Sequence, residues 1–173
     1  MLAPLVRATW ALRGQTPQLE QVMRHPEKLS VIGALCVSPD LRRLRLYLAF
    51  FPKDSIDGEL TRFFLTDLLR HLSGSVMLVW DRLGAHRGGE MEEFLEDHPR
   101  LKVQEFAPYC PELNPVEWLW RWLKWCKLAN FAPADLAALD KRAGELCAQA
   151  CRDQDLLRSF IVQSELPLDL AAP

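Results

Sequence analysis

Two apolar runs separated by three residues constrain this chain more than any other feature. Leu29 to Val37 reads LSVIGALCV, almost continuously apolar, and Leu41 to Phe51 reads LRRLRLYLAFF, which partly alternates. Ser38-Pro39-Asp40 between them has the composition of a tight turn. The pair predicts a β-hairpin with a short connection.

Beyond the hairpin, helix and strand patterns alternate. Residues 57–72 predict a helix with Leu60, Phe63, Phe64, Asp67, Leu68 and His71 on one mostly apolar side, ended by Gly74. Ser75 to Trp80 (SVMLVW) predicts a short buried strand, bounded by Gly74 and a turn after Asp81. Residues 88–97 predict a short helix, and Leu101 to Phe106 (LKVQEF) alternates as a strand does. A proline-rich loop, APYCPELNP, then leads into a helix from about Pro115 to Leu128. Its start signal is Asn114 as N-cap, Pro115 at the first helical position and Glu117 at the third. A further helix is expected over 134–150, and the tail from Pro167 is expected to fray. The order hairpin, helix, strand, helix, strand, helices specifies an α/β domain with a mixed sheet.

Composition excludes more than it assigns. The 173 residues suit one domain, and the net charge of -2 gives no global electrostatic footprint for nucleic acid. Any DNA-binding reading must rest on local chemistry. The five cysteines are odd in number and match no zinc-finger spacing. Cys147 and Cys151, four apart in a helical stretch, are expected to pack in the core of a protein from a reducing, cytoplasmic setting. No stretch has the length of a membrane span, and Arg7 interrupts the first apolar stretch, so the start reads poorly as a secretory leader. Residues 1–28 read as irregular, punctuated by Pro4, Gly14, Pro17 and Pro26.

Two carboxylates stand out. Asp81 follows a short apolar strand, at the sheet edge where α/β proteins bind ligands. It equally suits the start of a turn. Glu117 completes Asn-x-x-Glu, close to a capping box, so it can serve its helix as a cap or point a carboxylate outward. Glu112, in the preceding loop, is expected to be solvated. At 100° per residue, Glu117, Arg121 and Lys124 share one stripe, with Trp118, Trp122 and Trp125 on the next. Leu119, Leu123 and Cys126 continue the apolar surface, which predicts a helix docked by its aromatic side. A carboxylate with Arg and Lys on one stripe can hold a metal while the cations hold a phosphodiester. His86 can assist at a phosphate or bond its own loop. There is no Gly-x-Ser-x-Gly and no phosphate-cradling loop.

Together, VMLVWDRLGAHRG and EFAPYCPELNPVEWLWRWLK resemble the bacterial insertion-sequence transposases of the mariner-like DDE superfamily. There a strand ends in Asp, a His follows, and a Pro-Glu-Leu-Asn-Pro-x-Glu segment opens an aromatic, basic helix. Residues 7–17 and 30–35 also look like that pattern, so the resemblance covers roughly residues 5–130. It implies an RNase H-like mixed sheet flanked by helices, with a catalytic core over 29–130, an irregular segment over 1–28, and a C-terminal helical segment and tail over 131–173. It further implies two Mg²⁺ or Mn²⁺ ions on hard oxygen ligands, with Asp81 and Glu117 among them. Arg82, His86, Arg121 and Lys124 would contact DNA, both transposon ends and target, in a bacterial cytoplasm.

The sequence departs from the family pattern twice. Arg82 stands where Asn commonly follows the second Asp, and the first catalytic Asp of the family falls upstream of Met1. The expectation is therefore a core lacking its first central strand. Three outcomes are open: the hairpin closes directly on the Asp81 strand, another chain such as an upstream transposase fragment supplies the missing strand, or the true protein starts earlier. A homodimer is a further expectation. The alternative to an active transposase is an inactive remnant that binds DNA or assembles with other chains. An unrelated RNase H-like nuclease is a third reading, but it does not account for the Pro-Glu-Leu-Asn-Pro-x-Glu segment.

Overall fold

The computed structural model describes residues 7–15, 28–81, 88–168 and 170. Strands β1 (Leu29–Val37) and β2 (Leu44–Pro52) pair antiparallel in an unbroken register from Leu29 opposite Pro52 to Val37 opposite Leu44. The turn is longer than the sequence predicts. The Asp40 carboxylate accepts the Ser38 hydroxyl and the Arg42 amide, and Leu41 adopts a left-handed φ of 58°. These bonds hold residues 41–43 out of the ladder, so β2 starts at Leu44 rather than Leu41.

Helix α1 (Gly58–His71) begins where Asp57 accepts the Leu60 amide, an ordinary N-cap. Its carbonyl end is closed from outside by Arg100, whose guanidinium donates to the carbonyls of Leu69, Leu72 and Gly74. The buried stripe is Thr61, Phe64, Leu65, Leu68 and Leu69, and Phe63 faces solvent. The apolar side is thus rotated from the one the sequence predicts, because the sheet is met by the 61/65/68/69 row. Strand β3 (Val76–Trp80), helix α2 (Gly89–Asp97) and strand β4 (Leu101–Glu105) follow, with β3 and β4 parallel.

The four strands do not form one sheet. Among the described residues, β1 pairs only with β2, and β3 only with β4. The hairpin therefore does not close on the Asp81 strand, and one route open to the sequence is removed. What joins the two sheets is packing. Phe64, Leu65 and Leu68 of α1 gather with Trp80 and Met91, against Ile32, Ala34 and Cys36 of β1, Leu78 of β3 and Val103 of β4.

The opposite face of the hairpin carries the larger core. Helix α3 (Pro115–Arg121) runs into a π-helical segment, Trp122–Lys127, and is followed by α4 (Leu136–Ala150) and α5 (Gln154–Gln163). Leu29 and Val31 pack with Leu123, Leu139 and Ala143, while Leu44 and Leu46 pack with Leu119, Leu157 and Phe160. Strand β1 is thus covered on both faces, which explains its continuous apolar run. Gln154 fastens the arrangement: its side-chain amide exchanges two hydrogen bonds with the backbone of Leu44, at 3.0 and 2.9 Å. Leu168 and Leu170 pack against the same core, so this part of the tail is not frayed. Cys147 is buried in the core as its helical context predicts, and Cys151 donates its thiol to the Leu46 carbonyl. No helix among the described residues is long and apolar enough to cross a membrane.

Candidate active site

Asp81 is placed by backbone pairing. The Val76 amide donates to the Arg100 carbonyl and the Phe106 amide to the Trp80 carbonyl, so β3 and β4 end side by side. The residue after β3 is Asp81, and the residues after Phe106 form the proline-rich loop. Two parallel strands therefore deliver a carboxylate and a loop to one edge.

The loop ends in a single 3₁₀ turn, Pro111–Leu113, which sets the start of α3. The Asn114 side chain accepts the Val116 amide at 3.1 Å, as an N-cap does. Asn114's own amide donates back to the Pro111 carbonyl at 3.0 Å. A capping box needs that amide for the Glu117 carboxylate, so the box is not formed. The bland explanation of Glu117 as a helix cap fails on this bond.

Asp81, Pro108, Tyr109, Cys110, Asn114 and Glu117 line one cavity of about 190 Å³. Glu117 has its pKa raised, first by lost hydration. Lys124 opposes the shift and Asp81 adds to it. The two carboxylates thus feel one another's charge across the cavity, with Lys124 as the nearby cation. The Cys110 thiol beside them is also shifted upward, by desolvation and then by Glu112, so the cavity presents oxygen rather than thiolate.

This donor set fits a hard divalent cation. Two carboxylates that repel each other in a partly desolvated pocket are relieved by Mg²⁺ or Mn²⁺, which take oxygen ligands. Among the described residues no cluster of three or more His, Cys, Asp and Glu is assembled, and the cavity is lined by this pair of carboxylates.

The remaining candidates divide. Lys124 is half-buried and acts on Glu117, as the shared stripe predicts. Arg121 does not turn to the carboxylate. Its guanidinium lies over the Trp118 ring at 5.2 Å. The stripe is also rephased beyond Arg121, because the backbone widens to i→i+5 bonding there, as in Leu128 N–H to the Leu123 carbonyl at 2.8 Å. Leu119 and Leu123 are fully buried, but Trp125 and Cys126 face solvent, contrary to the continuous apolar surface read from the sequence. Glu112 is exposed, as expected. Arg82 and His86 lie outside the described residues. Tyr109 is a lining residue that the sequence did not single out.

A family profile of DDE superfamily endonucleases matches residues 2–138. The chain belongs to the DDE superfamily endonucleases. No curated protein matches it. Among solved structures it resembles the Mos1 mariner paired end complex with Mn, at a TM-score of 0.67 and 17% identity, over 93% of this chain and 48% of that one. It resembles the Mos1 transposase paired-end complex with left transposon end at 0.66 and 17%, over 92% and 48%. The catalytic domain of Mos1 mariner transposase matches at 0.57 and 15%, over 78% of this chain and 74% of that domain. This DDE chain thus has the RNase H-like fold of those transposases, and it spans about half the length of the Mos1 chains in the two complexes.

Proposed function

We propose that this DDE domain is the catalytic core of an insertion-sequence transposase, cutting and joining DNA by metal-dependent phosphoryl transfer. The observation that carries the reading is the pairing of Asp81 and Glu117, separated by 35 intervening residues, in one cavity. Asp81 and Glu117 would hold the Mg²⁺ or Mn²⁺ ions, which supply Lewis-acid stabilisation of the phosphoryl oxygens and a nucleophile at neutral pH. The chain's own residues do the rest. Lys124 offsets the negative charge that the scissile phosphate brings to the carboxylates. Arg121, braced on Trp118, extends a cation toward the neighbouring backbone phosphates. Arg82 and His86, adjoining Asp81 in sequence, are assigned to DNA by the resemblance alone.

A third carboxylate completes such a site in the family pattern. Among the described residues β1 pairs only with β2 and β3 only with β4, which supports a further strand between β1 and β3. A strand from an upstream transposase segment, or from a second copy in a dimer, laid between them would bring its Asp beside Asp81. The same observation favours a second reading, in which the two-carboxylate chain binds DNA without cutting it.

The test is Mn²⁺-dependent nicking of transposon-end DNA by the 173-residue chain, alone and with an added segment bearing the upstream Asp. Cleavage that Asp81→Asn and Glu117→Gln abolish supports the endonuclease. DNA binding with no cleavage in either mixture supports the second reading. Cleavage that survives both substitutions sinks the assignment of the site.

A further inference from the structure

Tyr109 is held in a way its own packing does not explain. Its ring is as exposed as in an extended peptide, at 101%. Its backbone lies in the left-handed region, with φ 60°. That conformation is uncommon and unfavourable for a bulky side chain. Strain of this kind persists where the surroundings impose it, and it clusters at ligand sites. Here the 3₁₀ turn that follows fixes the loop, with the Leu113 amide on the Cys110 carbonyl and the Cys110 thiol on the Pro108 carbonyl. The loop thus presents an aromatic ring to solvent.

The position of that ring identifies what it meets. Tyr109 lines the same cavity as Asp81 and Glu117. On the proposed reading, that cavity takes a scissile phosphodiester. The group that Tyr109 meets is then bonded to that phosphodiester, within about a nucleotide of it. An exposed ring at that point suits the flat face of a base. A paired base is already stacked on both faces, so the partner must be unpaired or displaced.

We propose that Tyr109 stacks on an unpaired base next to the scissile phosphate, so that the preferred substrate is DNA with a frayed or single-stranded end. The inference rests on the DNA-cleaving reading of the Asp81–Glu117 cavity. Its role is to position the strand, with no part in proton or metal chemistry.

The probe is a DNA duplex with a short single-stranded extension carrying 2-aminopurine, compared with the same base in full duplex. Tyr109→Asn removes the ring while suiting a left-handed backbone, so the loop is not further strained. Tyr109→Phe keeps the ring. Wild type and Tyr109→Phe are expected to quench the extension's fluorescence. Tyr109→Asn is expected to lose the quenching and bind the extension about tenfold more weakly, the usual scale for one stacked base. Its affinity for the full duplex stays unchanged. Equal binding and quenching by Tyr109→Asn overturns this inference and leaves the endonuclease reading standing. If wild type binds neither DNA, both fall.

Discussion

Trp120 of α3 lies directly across Gly33 of β1: a Cβ on Gly33 would stand 3.1 Å from the indole and 3.0 Å from Leu48. The missing side chain lets the helix that carries Glu117 sit close to the sheet. Gly33→Ala should push both neighbours and destabilise the fold by about 1 kcal/mol, with Gly33→Val worse, as overpacking does. Urea unfolding checks this. Gly33→Ala should also weaken Mn²⁺ binding while Glu117 itself is unaltered, because the helix start shifts.

Glu117 carries a charge the fold resists. Its pKa is raised, so between the ordinary glutamate value and the raised one the folded state binds more protons than the unfolded state. Stability therefore falls as pH rises through that window, and the penalty stands in full above it. Glu117→Gln should melt higher than wild type at neutral pH without metal, and the difference should vanish in acid. Solvent screening of this exposed residue limits the gain to no more than about 1 kcal/mol. Melting curves across the acid range in chelator decide it.

Arg7 fastens the N-terminal segment to the end of the π-helical turn. Its amide donates to Asn130 at 2.7 Å, its guanidinium to the Trp125 carbonyl at 2.8 Å, and the same cation lies over the Trp125 ring at 5.6 Å. Arg7→Ala should release residues 7–15 to protease well below the melting temperature while costing global stability less than about 1 kcal/mol, since the contacts are exposed. Limited proteolysis with mass spectrometry reads the site of cutting.

The cysteines should separate by reactivity. Burial pushes the Cys147 thiol up to about 12 and the Cys36 thiol up to about 11, whereas Cys126 is exposed. Under native conditions near neutral pH, an alkylating reagent should modify Cys126 promptly and leave Cys147 and Cys36 until the protein unfolds. Peptide mapping after a short pulse tests the order.

The elements legible in sequence were those whose environment is uniform. β1 is buried on both faces, and its apolar run gave it away; Asn114 and Pro115 marked the start of α3. α5 escaped because no glycine or proline marks its start, although Asp153 caps it and Leu156, Leu157, Phe160 and Ile161 recur at helical spacing. The buried side of α1 was misjudged because Phe63 looks like core, and only the tertiary neighbours turn it to water. Both carboxylates were legible. Of the two cations on the stripe, Lys124 does act on Glu117, whereas Arg121 does not, because Trp118 offers it a better seat than the carboxylate does. The 100° rule fails after Arg121 for Trp125 and Cys126, where the backbone widens. That one continuous sheet is replaced by two depends on which edges find hydrogen-bond partners, a long-range outcome that local pattern does not encode.

The division into two sheets has a mechanical consequence. Asp81 directly follows a strand of one sheet, and Glu117 stands on a helix docked to the other. No backbone ladder crosses between them among the described residues. A cation gripped by both side chains would act as a rivet across a joint otherwise held by side-chain packing. Loading the site would then stiffen the frame itself, and the frame's rigidity would be set by the occupancy of its own chemistry.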